Sequence, residues 1–336
     1  APEEAGAALQ YFTGSKEHNV HLREIAKRAG MKVNEYGVFR LASDGTQAER
    51  LGGATEAEVY ELLGFEQMPP PEIRHDTGEI EAALAGELPR LLEPSDIRGD
   101  FHMHTTSTDA HSTLEENRTM AAGLGYEYLV VTDHAENLRM VRGMTVPELE
   151  AQWAEVDALN ATRGALPYIL KGVELNIGAD GSVDYDPEVL ARFDFCIASL
   201  HSGWGEDGAA VTERLLRAME NPYVDIIGHP TGRIIGRRDP IALDMEAVLA
   251  GAAETGTMME LNAYPDRLDL NDAHLRLASR YGVRIAIGTD AHRAEHMRYM
   301  RYGVATARRG WLTPDRCLNA QPLDVVRSWF KRASRA

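Results

Sequence analysis

Seven short apolar segments, separated by helix-like segments, organise the chain from residue 97 onward. They lie at residues 98–102, 128–132, 168–175, 193–200, 224–228, 258–262 and 283–288. Strands that alternate with helices at intervals of roughly 25 to 40 residues pair in parallel through right-handed crossovers. The pattern therefore predicts an α/β fold. It fits a β/α barrel with seven strands rather than the usual eight, and an open doubly wound sheet is the competing architecture.

The first 97 residues follow a different pattern. Helix-like segments precede two short strands around Gly37, and a further helix begins after Thr55. The three prolines at 69–71 form a stiff, extended spacer that leads into an acidic helix at 78–92. We therefore expect a small α+β domain at residues 1–68, a linker at 69–97 and the α/β domain at 98–336.

Charge and composition restrict the partners of the chain. The 35 Lys and Arg against 52 Asp and Glu give a net charge of -17, which excludes a broad nucleic-acid-coating surface. Residues 51–97 hold two basic and eleven acidic side chains, whereas residues 1–50 hold seven of each, so a local phosphate-binding face is still allowed. No apolar stretch is long enough for a membrane span, the first residues lack a signal core, and two cysteines suit a reducing compartment. We expect a cytoplasmic protein.

Potential metal ligands follow six of the seven predicted strands. They are His102, His104 and Asp109, then His134, Glu174, His201, His229, Asp290 and His292. Residues i and i+2 of a strand share a face, so His102 and His104 can bind one ion together, as can Asp290 and His292. A lone histidine at a strand end is usually a hydrogen-bonded polar residue. Donors at six strand ends of one predicted rim, where barrel enzymes carry their reacting groups, favour a metal site.

The donor types indicate the chemistry of this site. Imidazole and carboxylate suit Mn²⁺, Zn²⁺ or Fe²⁺, and the absence of thiolates disfavours a closed structural zinc site. Nine donors exceed the needs of one ion, so we expect two or three ions, with a carboxylate such as Glu174 bridging a pair. Clustered ions activate a bound water and neutralise a phosphoryl group. The predicted reaction is hydrolysis of a phosphate ester through attack of a metal-activated hydroxide on phosphorus.

Other polar residues near the predicted rim have alternative roles. Asp133 is expected to orient or cap rather than to bind metal. Arg233 and Arg237 either clamp a substrate phosphate or are solvated loop charges, and His111 either touches substrate or is a bystander. The remaining histidines are predicted to lie on the surface: His18, His21, His75, His274 and His296.

The ordered motifs over about residues 98–310 resemble the PHP (polymerase and histidinol phosphatase) domain. These motifs are His102-x-His104 with Asp109, Thr132-Asp133-His134, Glu174, His201, Gly228-His229-Pro230 and Asp290-x-His292. The resemblance implies a distorted seven-stranded TIM-like barrel with a trinuclear metal centre. It assigns one ion to His102, His104, Glu174 and Asp290, which are also the implied catalytic residues. It assigns a second ion to Glu174, His201 and His229, and a third to Asp109, His134 and His292.

A second resemblance concerns the N-terminal segment. Leu-Gln-Tyr-Phe-Thr-Gly-Ser-Lys-Glu-His-Asn at 9–19, followed by Val-Asn-Glu-Tyr-Gly at 33–37, is similar to the thumb of family X DNA polymerases. Bacterial members carry a PHP domain behind the polymerase core, so the chain resembles the thumb, linker and PHP domain of one. The given sequence contains no palm with its acidic triad, and we expect no nucleotide polymerisation by this chain as given.

The two resemblances together imply a function. It is a metal-dependent phosphoesterase acting on DNA, mainly a 3'-5' exonuclease in DNA repair, with 3'-phosphatase or AP-endonuclease activity and Mn²⁺ and/or Zn²⁺ as cofactors. The implied partners are single-stranded or gapped DNA 3' ends and, in the full-length protein, the polymerase core, at the bacterial nucleoid. Two alternatives remain: a small-molecule phosphatase of the histidinol-phosphatase type, and a catalytically silent module that scaffolds DNA or the polymerase.

Overall fold

A computed structural model describes residues 1–138, 141–162, 167–203, 205 and 207–331. The chain divides into two compact units, Ala1–Arg90 and Leu91–Ala336, called here the N-terminal unit and the C-terminal unit. The division falls inside the predicted 69–97 linker, and the predicted domain limits at residues 68 and 98 stay predictions. No described helix has the length and apolar character needed to cross a membrane.

The N-terminal unit is a small α+β structure. Its elements are α1 (Ala5–Thr13), α2 (Lys16–Arg28), β1 (Met31–Asn34), β2 (Gly37–Leu41), β3 (Gln47–Gly52), α3 (Glu56–Leu62) and α4 (Glu79–Ala85). The strands form an antiparallel sheet in the order β1-β2-β3. Ser15 and Thr55 cap α2 and α3 by accepting hydrogen bonds from backbone amides three residues on.

Two predictions for this unit need correction. The acidic helix ends at Ala85 rather than near residue 92, because Gly86 adopts a left-handed conformation (φ 70°) that terminates the helix. The strand β3 was missed, since three of its six residues are polar and none is fully buried, which removes the apolar alternation on which strand prediction depends.

His18 is buried, so its predicted surface position is wrong. Its Nδ1 lies 2.7 Å from Glu79 Oε1 and its Nε2 lies 2.8 Å from the Tyr60 hydroxyl. His18, Tyr60 and Glu79 are called here the His18 cluster. The position follows from helical spacing, because Leu22 and Ala26 on the same face of α2 are also buried. The other four histidines predicted on the surface are partly exposed.

The C-terminal unit alternates strands and helices as predicted. Its strands are β4 (Gly99–Asp100), β5 (Tyr128–Val131), β6 (Tyr168–Asn176), β7 (Phe195–Ser199), β8 (Ile226–Gly228), β9 (Met258–Asn262) and β10 (Ile285–Gly288). Its helices are α5 (Leu114–Gly123), α6 (Val146–Ala161), α7 (Pro187–Leu190), α8 (Gly208–Glu220), α9 (Met245–Thr255), α10 (Asp272–Arg280), α11 (Met300–Arg309) and α12 (Leu323–Trp329).

The sheet order distinguishes the two predicted architectures. Its seven strands pair in parallel in the unbroken order β4 to β10, so each strand neighbours the next one in sequence. A doubly wound sheet would reverse this order at a switch point. The fold is therefore a seven-stranded, nearly closed TIM-like barrel.

Side chains close the seam between the first and last strands of the barrel. Asn319 donates from Nδ2 to the carbonyls of Gly99 and Ile287, each at 2.8 Å, and its Oδ1 accepts from the Ile287 amide at 2.6 Å. Asp100 accepts hydrogen bonds from the amide and hydroxyl of Thr289. Met103 and Ala291 form an isolated parallel bridge just beyond. The rim residues after β4 and β10 are thereby held side by side.

Alternate residues of the strands divide the C-terminal unit into an inner and an outer core. Tyr128 and Val130 pack in one buried cluster with Phe101 and Phe195, whereas Leu129 lies in the other, with helix residues. This period of two is what a barrel requires, since one strand face fills the interior and the other carries the helices. The barrel is a packed core, so the chemistry must be sought at its rim.

Candidate metal centre

The nine predicted donors converge at the carboxyl ends of the strands. Eight lie just beyond a strand or in the loop that follows it, and Glu174 lies near the end of β6. Eight of the nine histidine and carboxylate donors belong to the three groups whose ligand atoms lie within 4.8 Å of one another. The ninth, His229, has its Nε2 3.0 Å from Glu174 Oε1.

Glu174 lies at the centre of this cluster. Its Oε2 lies 3.4 Å from His102 Nε2, 3.6 Å from His104 Nε2 and 3.0 Å from His134 Nδ1. Its Oε1 lies 3.2 Å from His201 Nε2 and 3.0 Å from His229 Nε2. The two oxygens thus face two different sets of imidazoles, which is the arrangement of a carboxylate that bridges two cations.

The three groups of ligand atoms differ slightly from the sets implied by the resemblance. One group is His102, His104 and Asp290; a second is His134, Glu174 and His201; a third is His104, Asp109, His134 and His292. The third group shares His104 with the first group and His134 with the second, so the three candidate sites are adjacent. The division of ligands among individual ions stays a prediction.

Unpaired ring nitrogens show that the cluster fits divalent cations. Among the described residues, His102 Nε2, both ring nitrogens of His104, and Nδ1 of His134 and His229 are buried without a hydrogen-bond partner. Two atoms that each lie about 2.1 Å from one ion are separated by about 3.0–3.4 Å. Three of these nitrogens, Nε2 of His102 and His104 and Nδ1 of His134, lie 3.0–3.7 Å from oxygens of Glu174 or Asp290, close to that range. The donor set is therefore that of a metal-dependent site.

The rim carboxylates stay ionised despite burial. Burial raises the pKa of Glu174, but the imidazoles of His102, His201 and His134 outweigh it and hold the pKa well below its ordinary value. The pKa of Asp290 is lowered well below its ordinary value for the same reason, chiefly through His102 and His104. Burial and the neighbouring His134 lower the pKa of His104 to about 4, which keeps its lone pairs available. Despite burial, the neighbouring carboxylates raise the pKa values of His102, His134 and His292, so these rings must release protons when a metal ion binds.

Two of the predicted ligands have unusual backbone conformations. His229 and Asp290 have φ values of 27° and 53°, a region that residues other than glycine rarely adopt. Each such conformation costs of order 1–3 kcal/mol and persists where the surroundings impose it, often at functional sites. Here it turns both side chains from the strand direction into the cluster.

Glu260 is a functional candidate that the sequence patterns missed. It lies in β9, buried, with Oε1 2.6 Å from His102 Nδ1, and Oε2 accepts from the His229 amide at 2.6 Å. Gly288 leaves the space for it, because a Cβ there would lie 2.4 Å from Glu260 Oε1. The signal was a glutamate inside an apolar strand that was otherwise the one strand without a donor. A carboxylate on the far nitrogen of a ligand histidine fixes the ring orientation.

Asp133 lies behind the ligands and holds the rim loops. It accepts hydrogen bonds from the Thr105 amide at 2.8 Å, from Gln152 Nε2 at 2.6 Å and from the Thr108 hydroxyl at 2.5 Å. These bonds occupy both carboxylate oxygens, in line with the predicted orienting role.

The predicted phosphate-binding residues occupy different environments. Arg237 and His111 line a cavity of 430 Å³ beside Asp290 and His292. Arg233 donates from its guanidinium to the carbonyls of Arg267 and Leu268, so this group is engaged in holding a loop. Arg267, which the sequence patterns did not single out as a site residue, lies in the same cavity with Nε 3.4 Å from Asp290 Oδ2.

Fold and rim together define the class of the protein as a PHP-type TIM-like barrel with a His, Asp and Glu metal-binding rim. Known proteins resemble both the N-terminal unit and the barrel. The model of the family "DNA polymerase beta thumb" matches residues 8–75. The "DNA polymerase/3'-5' exonuclease PolX" of Bacillus subtilis (strain 168) is 41% identical over 330 residues, which is 98% of this chain and 56% of the relative. The chain thus spans little more than half of that relative.

Shorter relatives match the barrel region. A "Probable phosphatase" of Thermoanaerobacter sp. (strain X514) is 30% identical over 249 residues, 70% of this chain and 95% of the relative. The solved histidinol phosphate phosphatase of Lactococcus lactis subsp. lactis Il1403 is 19% identical over 62% of this chain and 93% of that one, with a TM-score of 0.46. The chain corresponds to the C-terminal portion of bacterial family X DNA polymerases, the thumb followed by the PHP domain.

Proposed function

We propose that the chain is a metal-dependent phosphoesterase that acts on DNA, mainly as a 3'-5' exonuclease in DNA repair. The name of the Bacillus subtilis relative, DNA polymerase/3'-5' exonuclease, supports this reaction and substrate. The observation that carries the proposal is the position of Glu174, whose two oxygens face two sets of imidazoles at 3.0–3.6 Å. Removal of a 3' phosphate and incision at abasic sites are further reactions that the same centre could perform.

The proposed ligand sets are those that the resemblance to the PHP domain implies, and the groups of neighbouring ligand atoms at the rim overlap with them without matching them one for one. His102, His104, Glu174 and Asp290 hold one cation, and Glu174, His201 and His229 hold a second. Asp109, His134 and His292 hold a third. Mn²⁺ and/or Zn²⁺ suit this mixture of imidazole and carboxylate donors.

When bound, the cations supply an activated water and neutralise charge on the phosphoryl group. The chain contributes orientation and charge around them. Glu260 fixes the ring of His102 through its Nδ1, which leaves Nε2 directed at the cluster. Arg267 and Arg237 present guanidinium groups to the cavity beside Asp290, where they can hold the non-bridging oxygens of a phosphodiester.

We propose DNA contact by the N-terminal unit as well. The amides at the start of α2, capped by Ser15, face the turn after α1, and a helix N-terminus favours phosphate. Phe12 is 78% exposed in the same segment, in a position to contact a sugar or base. Single-stranded or gapped 3' ends and, in a longer protein, a polymerase core would be the partners of this arrangement.

The first experiment is digestion of 5'-labelled single-stranded DNA by the purified chain with Mn²⁺. The proposal predicts a ladder of progressively shorter labelled products. His102→Ala should abolish it while circular dichroism shows an unchanged fold. His21→Ala is the matched control, because His21 lies in the N-terminal unit and pairs with Asp76. Intact DNA with the wild-type chain, or full activity of His102→Ala, would contradict the proposal.

A second candidate is a phosphatase for a small monoester such as histidinol phosphate. The similarity of the barrel region to proteins named probable phosphatases favours it. Comparing kcat/KM for histidinol phosphate and for single-stranded DNA separates the two. The primary proposal requires the DNA substrate to be preferred.

A further inference from the structure

An aromatic surface borders the cavity beside the metal-binding rim. Tyr264, His296 and Tyr299, called here the aromatic wall, contact one another. The Tyr264 ring lies edge-on to His296 at 5.5 Å and to Tyr299 at 5.2 Å, and the His296 and Tyr299 rings are stacked at 4.9 Å. All three side chains are partly exposed rather than buried. A cluster of rings that is open to solvent at the edge of a cavity can accept a further ring.

The loop that carries Tyr264 is fixed to the metal-binding rim. The Tyr264 amide donates to Asn262 Oδ1 at 3.0 Å, and Asn262 Nδ2 donates to Asp290 Oδ2 at 3.1 Å. Backbone hydrogen bonds between Asn262 and Asp269 close the loop at its base. The side chain of Asn262 therefore fixes the position of Tyr264 relative to Asp290. Because the backbone of Tyr264 is held in this way and its ring packs on His296 and Tyr299, the ring is preorganised for a substrate whose reacting group lies at the cluster.

The charges of the cavity suit an anion between the aromatic wall and the ligands. Arg237, Arg267 and Arg293 line it together with Asp266 and Asp290, and Tyr264 and His296 form part of the same lining. Its volume of 430 Å³ is within the range of sites for small organic ligands. One cavity is thus lined by two proposed metal ligands, Asp290 and His292, by three arginines and by two partly exposed rings of the aromatic wall.

We propose that the aromatic wall is a base-stacking subsite for the 3'-terminal nucleotide of the DNA strand. The base stacks against Tyr264 or His296, while the adjoining phosphodiester lies among the arginines and the rim ligands. The inference rests on the proposed nuclease function and specifies how its substrate is held. Stacking depends on the π face that every base has, so it gives affinity without sequence preference.

The test compares single-stranded oligonucleotides that end in a normal 3' nucleotide or in a 3' abasic residue. For the wild-type chain kcat/KM should be about 5- to 150-fold higher for the normal end, the range that one stacked base provides. Tyr264→Ala should lower this ratio toward 1. Tyr264→Phe, which keeps the ring, should retain it.

A binding measurement gives a second readout without turnover. Calorimetry with a deoxynucleoside 5'-monophosphate and with 2-deoxyribose 5-phosphate should show tighter binding of the nucleotide to the wild-type chain. His296→Ala should reduce this difference, and it serves as the second variant where Tyr264→Ala does not fold.

The outcomes separate the inference from the function on which it rests. The subsite would be overturned, and the nuclease left intact, if the wild-type chain digested DNA with equal kcat/KM for the two ends. The same conclusion would follow if the ratio of kcat/KM for the normal end to that for the abasic end were unchanged in both Tyr264→Ala and His296→Ala. Absence of DNA hydrolysis by the wild-type chain would overturn the nuclease. In that case tighter binding of the nucleotide than of the sugar phosphate would still support the subsite.

Discussion

The two units each bury histidines beside glutamates, but the surroundings of those histidines differ. In the His18 cluster both ring nitrogens have partners, Glu79 at 2.7 Å and the Tyr60 hydroxyl at 2.8 Å. At the rim of the barrel, several buried ring nitrogens face Glu174 without a hydrogen bond. A buried polar group without a partner costs free energy, so it is retained where something else binds it. The His18 ring is therefore fully paired within the protein, whereas the rim retains buried nitrogens that a metal ion can bind.

The largest effect that would test this contrast is loss of Glu174, the proposed bridging carboxylate. We expect Glu174→Gln to lower DNA hydrolysis by about 10³-fold, corresponding to about 4 kcal/mol, because an amide cannot serve two cations as a carboxylate does. Metal content per chain, measured by inductively coupled plasma mass spectrometry, should fall in parallel. A variant that keeps both its metals and its activity would remove Glu174 from the centre.

The matched substitution in the other cluster should change stability and not metal content. We expect Glu79→Gln to destabilise the N-terminal unit by about 3 kcal/mol, because it breaks a buried pair and places an amide group against the Asp76 or Thr77 amides. Amide hydrogen exchange in α2 measures this unit separately, whereas tryptophan fluorescence reports the C-terminal unit. Loss of bound metal in Glu79→Gln would break the comparison.

Acid should remove from the wild-type chain the stabilisation that the ionised Glu79 gives to the N-terminal unit. Burial raises the pKa of Glu79, but hydrogen bonds from His18 and from the Thr77 and Asp76 amides outweigh it and lower the pKa to about 2, from an ordinary 4.5. Since the pKa is depressed in the folded state, the stabilisation is complete above about pH 4.5 and is lost as the pH falls toward 2. The difference in α2 exchange between wild type and Glu79→Gln should therefore shrink over this interval.

The smallest effect concerns Glu260, which contacts the proposed ligand His102 through the ring nitrogen that faces away from the cluster. We expect Glu260→Gln to reduce metal affinity or activity by about 10- to 100-fold, the cost of losing a carboxylate that orients a ligand histidine. Because the ligand itself remains, added Mn²⁺ should restore part of the activity, which it should not do in His102→Ala. Equal responses of the two variants to metal would place Glu260 among the ligands rather than behind them.

Regular periodicity made the barrel predictable from sequence. Each of the seven predicted strands agrees with an observed one to within two residues at either end, because a buried parallel strand is a continuous apolar segment between helices. The order of the strands was left open between two architectures, since pairing depends on contacts such as those of Asn319 with Gly99, 220 residues apart. β3 was missed because its side chains are largely exposed.

The convergence of the candidate donors was also predictable from the order of strands and helices, whereas the roles of the residues that support them were not. Donors at the carboxyl ends of parallel strands must meet on one rim, so nine distant residues could be placed together. Glu260 lies within a strand and Arg267 within a loop, and their roles depend on which side chain they face, His102 and Asp290 respectively. Sequence spacing carries no information on such contacts between distant segments.

The seam of the barrel has a consequence for biosynthesis. Asn319 joins the first and last strands, and it follows Gly99 by 220 residues. At a translation rate of about 5–20 residues per second, the first strand therefore waits roughly 10–45 s for the side chain that locks it. His102 and His104 are synthesised at the start of that interval, and Asp290 near its end. A ribosome-bound fragment can thus display the histidine pair long before Asp290 exists, and the candidate group of His102, His104 and Asp290 is complete only late in synthesis.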